Sequence, residues 1–144
     1  MNNDKFLKYF NENDGFSTHN GIRLTKMEPG YAEAQLTITE YNKNFMGTLH
    51  GAVLFALADI VSGSALAAYG KHCVTLSSNI TYIAPAYEGR VTAKATQISR
   101  TRRTATFDIE IKNDAGTLLC KVTTTMYNMD KQILFDEDGN VLKM

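Results

Sequence analysis

The stretch Leu49-His50-Gly51-Ala52-Val53-Leu54-Phe55-Ala56-Leu57-Ala58-Asp59-Ile60-Val61-Ser62-Gly63-Ser64-Ala65-Leu66-Ala67-Ala68-Tyr69-Gly70 is the longest apolar run in the chain. Its length invites comparison with a membrane span. However, Asp59 stands at its centre, and Ala, Gly and Ser outnumber Leu and Ile. A charge at mid-bilayer is costly, so the run reads as a buried helix of a water-soluble domain. The spacing predicts a helix from Gly51 to Tyr69, with Gly70 as its stop.

At about 100° per residue, Val53, Leu57, Ile60 and Val61 cover one side of this helix. Leu54, Phe55 and Leu66 carry the apolar surface almost around it. A helix apolar all round must be buried on most sides, here by a sheet wrapped about it. One stripe differs: Ala52, Ala56, Gly63 and Ala67 lie within about 60° of one another, with Asp59 among them. Small residues admit a ligand or a second backbone. A carboxylate drawn out of water there has the character of a general base or nucleophile. The plainer reading is an Asp hydrogen-bonded to a neighbouring loop.

The helix entry is a second candidate feature. Gly51 leaves backbone N–H groups bare at a positive helix end, where a carbonyl oxygen gaining negative charge is stabilised. His50 is as well explained by a backbone hydrogen bond as by catalysis. Gly51 and Asp59 are eight residues apart, about 12 Å along the axis, and His50 and Asp59 point to opposite sides. One helix cannot aim both ends at one atom. If both act in one reaction, two helices lie side by side in a homodimer with composite sites.

Outward from the helix the pattern changes. Asp4 to Glu12 reads as a short amphipathic helix ended by Gly15. Strands are expected over Gly21 to Met27 and Tyr31 to Thr39, joined by Pro29-Gly30. After Gly70 the period is two. Leu76, Ile80 and Tyr82 alternate with Thr75, Ser77, Asn79 and Thr81, up to Pro85. Val91, Ala93 and Ala95 define another strand, and Ala105, Phe107, Ile109 and Ile111 the clearest one. Asn113-Asp114-Ala115-Gly116 turns the chain into a strand from Thr117 to Asn128. Ile133-Leu134-Phe135 and Val141-Leu142 flank an expected extra hairpin. Short connections imply antiparallel pairing. The expected fold is α+β, one curved antiparallel sheet with one dominant helix, in one domain. Within it, 1–20 is a lead-in, 21–128 the core and 129–144 an extension.

Composition narrows the function. Lys+Arg and Asp+Glu are both 15, a balance that argues against nucleic acid and anionic membranes as partners. Cys73 and Cys120 have no metal-ligand or CxxC spacing and read as reduced thiols. The first residues carry no apolar signal segment, which points to the cytoplasm.

The segment Asn44-Phe45-Met46-Gly47-Thr48-Leu49-His50-Gly51-Ala52, with Leu57-Ala58-Asp59 behind it, resembles the PaaI-like branch of the hotdog thioesterase superfamily. Val74 to Ala86 is similar to the strand after its central helix, and Arg102-Arg103-Thr104-Ala105 to the turn near its CoA site. The resemblance implies a hotdog fold, and a dimer or dimer of dimers that cleaves acyl-CoA without metal or organic cofactor. It implies Asp59 as base or nucleophile and Gly51 N–H on the thioester carbonyl. It gives His50 and Asn44 the role of orienting groups and Thr75 a hold on the water. Arg102, Arg103, Thr104 and Arg100 become the CoA-binding candidates, with Arg90 and Lys94 nearby. Ala52 departs from the family pattern, which has a second Gly there. Three other functions were weighed: an enoyl-thioester hydratase or dehydratase, a non-catalytic acyl-CoA-binding module and a scaffold for assembly. The first needs an acid and a histidine converging on one carbon, which His50 and Asp59 of one chain cannot do. The acyl group is left open by the sequence, with Leu54, Phe55 and Leu57 as possible pocket walls.

Overall fold

The structure, a computed structural model, describes residues 1–144. Two helices lead, α1 (Asn3–Asn13) and α2 (Gly15–His19). Strands β1 (Arg23–Glu28) and β2 (Tyr31–Thr37) precede the long helix α3 (Gly51–Ala67). Then come β3 (Lys71–Tyr82), β4 (Arg90–Arg100), β5 (Thr104–Asn113) and β6 (Leu118–Gln132). The strands form one antiparallel sheet in the order β1-β2-β4-β5-β6-β3, packed on α3. This is the α+β hotdog arrangement. No helix is long and apolar enough to cross a membrane.

The helix sits close to the sheet because the strands facing it carry small residues. Ala32 pairs with Ala95 and Ala34 with Ala93, all fully buried. Larger side chains flank them: Phe107, Ile109 and Val122 meet Leu57, Val61 and Leu66 in the core. Gly70 ends the helix with φ +91° and donates its N–H to Ala67 O at 2.7 Å, the left-handed stop that glycine allows.

The expected sheet-on-helix architecture is present, and several details differ from expectation. The sheet leaves one face of α3 open. Ala52 and Asp59 stay exposed, and Phe55, Ala56, Ile60 and Gly63 are half-buried. One chain supplies too little sheet to close around a helix, so its two edges, β1 and β3, stay apart. Gly15 does not stop the first helix but opens α2, because Asp14 Oδ1 accepts the Ser17 N–H at 2.9 Å. Strand β6 runs past Asn128 to Gln132, pairing there with Lys71. Beyond it, Phe135 and Val141 form an antiparallel bridge.

The strand after the helix departs most from its pattern. A bulge between Thr75 and Ser77 interrupts the β3 pairing. Before it, Thr75 faces the helix; after it, Ser78, Ile80 and Tyr82 do, opposite the buried Thr124, Val122 and Cys120. Strict alternation sets Thr75 and Tyr82 on opposite faces. One extra residue, Leu76, brings them to the same one.

Leu57 is fully buried at the middle of α3. Leu57→Ala is expected to lower unfolding free energy by about 2–5 kcal/mol, read from urea denaturation. A loss under about 1 kcal/mol would mean that the helix–sheet packing is looser than described.

Candidate active site

Asp59 lies on the uncovered face of α3, and Thr75 reaches it across the β3 bulge. The Thr75 hydroxyl donates to Asp59 Oδ1 at 2.6 Å. The bond fixes the carboxylate and leaves Oδ2 free. Both residues line a cleft of about 550 Å³ that opens to solvent. The adjoining thiol, Cys73, donates to Gly63 O at 3.4 Å. Burial, then the Asp59 charge, pushes the Cys73 thiol up to about 11.

At the other end of the helix, His50 is the N-cap. Its Nδ1 accepts the Ala52 N–H at 3.0 Å, and its own N–H donates to Asn42 O at 2.9 Å. That arrangement consumes the second amide of the helix. The first, Gly51 N–H, makes no bond within the chain. The imidazole therefore shapes the helix entry and is turned away from Asp59.

Asn44 is also largely committed to its loop. Its Oδ1 accepts from Met46 N and Thr48 N, and its Nδ2 donates to the Thr48 hydroxyl at 2.8 Å. Gly47, at φ +82°, closes this turn. The loop places Asn44 beside Gly51 in a second cleft of about 380 Å³, walled by Leu54, Tyr82 and Ile83. Of the three expected pocket walls only Leu54 lines a cleft; Leu57 is fully buried in the core, and Phe55 lines neither of these clefts.

Tyr82 escaped the sequence reading. Its hydroxyl donates to Gly51 O at 3.0 Å, and its ring leaves only 3.2 Å to where a Cβ on residue 51 would sit. Burial pushes its phenol up. A side chain at residue 51 would have to push the half-exposed Tyr82 ring aside by a few tenths of an ångström. The aromatic position after the bulge was the available signal, but its face could not be told without the bulge.

The candidate residues of one chain thus fall into two separate groups. Asp59 and Thr75 meet in one cleft; Asn44, Gly51 and Tyr82 gather at the other. The basic turn between β4 and β5 is separate. Arg100 lies over the Tyr69 ring at 3.7 Å. Arg103 donates to Tyr127 Oη at 2.7 Å and pairs with Asp130 at 3.1 Å. Thr104 N–H donates to Thr101 Oγ1 at 3.0 Å, closing the turn. Arg102 makes no side-chain ion pair or hydrogen bond in the chain, unlike Arg90 and Lys94, which pair with Asp114 and Glu33. No group of three or more His, Cys, Asp or Glu side chains is placed to hold a metal ion.

Comparison with known proteins gives a consistent set of matches. The sequence model of the thioesterase superfamily matches residues 46–120. A putative esterase of Archaeoglobus fulgidus is 30% identical over 129 residues, covering 89% of this chain and 84% of the relative. The acyl-coenzyme A thioesterase PaaI of Escherichia coli is 32% identical over 103 residues, covering 71% of this chain and 74% of that one. The solved Escherichia coli PaaI structure superposes with a TM-score of 0.84 at 25% identity, over 93% of this chain and all (100%) of that one.

Two outcomes follow from the site geometry. His50→Ala removes the acceptor for the Ala52 amide and is expected to lower stability by about 0.5–2 kcal/mol in urea denaturation, while His50→Asn recovers most of it. An unchanged midpoint in the alanine variant would refute the capping role. Cys120, like Cys73, is pushed up by burial, to about 12. The fully buried Cys120 is expected to react slowly with a disulfide reagent at pH about 8 and fast after unfolding, while the half-buried Cys73 on the open cleft labels sooner. Rapid labelling of Cys120 in the native protein would contradict that burial.

Proposed function

The chain belongs to the thioesterase superfamily, in its PaaI-like branch, and from that premise we propose that it hydrolyses a small acyl- or aryl-CoA thioester to free acid and CoA. One observation carries the reading. A carboxylate held by a threonine hydroxyl stands in an open cleft, on the same helix as an amide left unbonded at the positive end. These are the two groups that acyl transfer requires, a base or nucleophile and a donor for the developing oxyanion.

The 12 Å between them means that neither chain alone completes the site. The exposed edge of β3 supports a remedy. It carries twelve residues, with Val74 and Leu76 exposed, and Phe45 and Met46 of the Asn44 loop are exposed as well. A long edge strand with unpaired backbone N–H and C=O groups invites pairing, and pairing with its own copy lays two α3 helices side by side. Asp59 of one protomer then faces Gly51 N–H of the other.

In that site the carbonyl oxygen sits on Gly51 N–H and carbon is attacked by water or by the Asp59 carboxylate. In the water route the new C–O bond forms as the proton passes to Asp59. The C–S bond then breaks, and the proton goes on to the CoA thiolate. Thr75 holds Asp59 in orientation, and His50 keeps the Ala52 amide occupied so that Gly51 alone is presented. Asn44 shapes the loop that borders the carbonyl. For the CoA phosphates, Arg102 is the free guanidinium, with Arg103, Thr104 and Arg100 forming its turn. A dimer of dimers and a cytoplasmic location accord with this reading. The hydratase alternative is weakened because His50 Nδ1 is engaged by backbone, and a purely binding module has no use for the Thr75–Asp59 bond.

Complementation between two damaged chains tests the proposal. Asp59→Asn is expected to cut kcat about a hundredfold or more with the dimer intact. Gly51→Pro deletes the amide at a helix position whose backbone suits proline, His50 already having extended dihedrals, φ −64° and ψ 133°; Gly51→Ala, whose Cβ meets the same Tyr82 ring at 3.2 Å but which keeps the amide, is the control for crowding. Asp59→Asn and Gly51→Pro alone are each expected to be nearly inactive; co-refolded, every mixed dimer regains one intact site. Mixtures as inactive as their parents would sink the composite site. Full activity in a folded Asp59→Asn dimer would sink the mechanism.

A further inference from the structure

The N-terminal helix and the C-terminal tail lie outside residues 46–120, which match the superfamily, and the proposed chemistry uses neither. Both nevertheless border the Asp59 cleft. The cleft follows α3 from Asp59 past Ile60 and Gly63 to Ala67, eight residues or about 12 Å. At the far end it meets Phe6 and Phe10 of α1 and Ile133 just after β6.

Gly63 is not required there by packing. A Cβ at residue 63 would meet Met126 at an ordinary 3.8 Å, and its φ is not positive. The glycine keeps cleft volume open. The end of the cleft, in contrast, is firmly built. Phe6 and Phe10 stack with centroids 6.4 Å apart. Asn11, one residue on, pairs with the backbone of edge strand β1 as another strand would. Its Nδ2 donates to Leu24 O at 2.8 Å and its Oδ1 accepts Leu24 N–H at 2.9 Å. From the other side, Ile133 N–H donates to Gly70 O at 2.9 Å, and the Lys5 ammonium sits 4.7 Å from the Phe135 ring centroid. The helix is pinned at both ends across the open side of the sheet.

Resting on the thioesterase reading above, we propose that Phe6, Phe10 and Ile133 are the end wall of the acyl subsite and set the longest acyl group the enzyme accepts. The occupant is the apolar tail of the thioester, entering beside Asp59 and running along the small residues of α3. With carbon–carbon bonds of about 1.5 Å, a zig-zag chain of about nine carbons fills about 12 Å. Medium-length chains and phenylacyl groups fit; long fatty acyl groups meet the wall.

The test is kcat/KM of the full chain across straight-chain acyl-CoA thioesters from butanoyl to hexadecanoyl, with phenylacetyl-CoA alongside. Wild type is expected to peak at or below decanoyl and to fall at least about tenfold by tetradecanoyl, since one ill-fitting methylene alone is worth about that. Phe10→Ala is expected to raise tetradecanoyl turnover about tenfold with butanoyl nearly unchanged, and Phe10→Trp to lower the limit. Phe10→Leu replaces the alanine variant if that fails to fold. Phe16→Ala, on exposed α2, is expected to leave the profile unmoved. Turnover that depends on Asp59 but keeps one chain-length profile in every folded Phe10 variant would overturn the wall and spare the thioesterase reading. No wild-type turnover of any thioester would overturn both.

Discussion

A rigid helix cannot fold back on itself, and the rest of this molecule is arranged around that limit. Gly51 and Asp59 are fixed to one rod about 12 Å apart, with two turns of backbone hydrogen bonds between them. No side-chain rotation closes such a distance. The sheet accordingly holds the rod by one side only. The apolar side chains Leu57, Val61 and Leu66 are driven into strands whose central residues are alanines, and this face provides the anchoring. The opposite face carries Ala52, Ala56, Asp59 and Gly63, none of them fully covered. A stripe so poor in side-chain volume contributes little to the stability of a single chain. Its worth lies in what it lets approach.

The β3 bulge and the Gly51 corner solve related local problems. A regular strand could serve the carboxylate or pack beside the glycine, because residues 75 and 82 differ by an odd number and fall on opposite faces. The insertion of Leu76 shifts the phase once, so that a single strand supplies Thr75 to one group and Tyr82 to the other. The bulged residue is exposed at the free edge, so shifting the phase opens no hole in the core.

These features explain what could be read from the sequence alone. The helix was legible because seventeen residues of it share one pattern bounded by glycines. The strands from β4 to β6 were legible because their inner faces are buried and must alternate. Asp59 and Gly51 stood out as a charge and a bare amide in a hydrophobic run. The bulge left no mark, since one extra residue in a Thr- and Ser-rich edge strand barely alters its polarity. The same holds for the arginines: Arg100, Arg102 and Arg103 look alike in sequence, and only Tyr69, Tyr127 and Asp130 in space distinguish the two engaged guanidinium groups from the free one. The open face of the helix left no mark either, because periodicity reports that a face is apolar, not whether the sheet covers it.

Ala52 illustrates the distinction between what the backbone must supply and what the side chain is free to do. In the family pattern a second glycine stands here, and a methyl in its place suggests a narrowed channel. The structure gives that amide a different duty: Ala52 N–H is spent on His50 Nδ1, so the unbonded donor is one residue earlier. The methyl points to an exposed part of the stripe rather than against Tyr82, which crowds residue 51. Alanine favours the helix over glycine by about 1 kcal/mol. It therefore stiffens the first turn without filling the space in front of the unbonded Gly51 amide. The departure from the pattern falls at the one position of the pair where a side chain is tolerated, and the glycine that remains is the one whose Cβ would press on the Tyr82 ring.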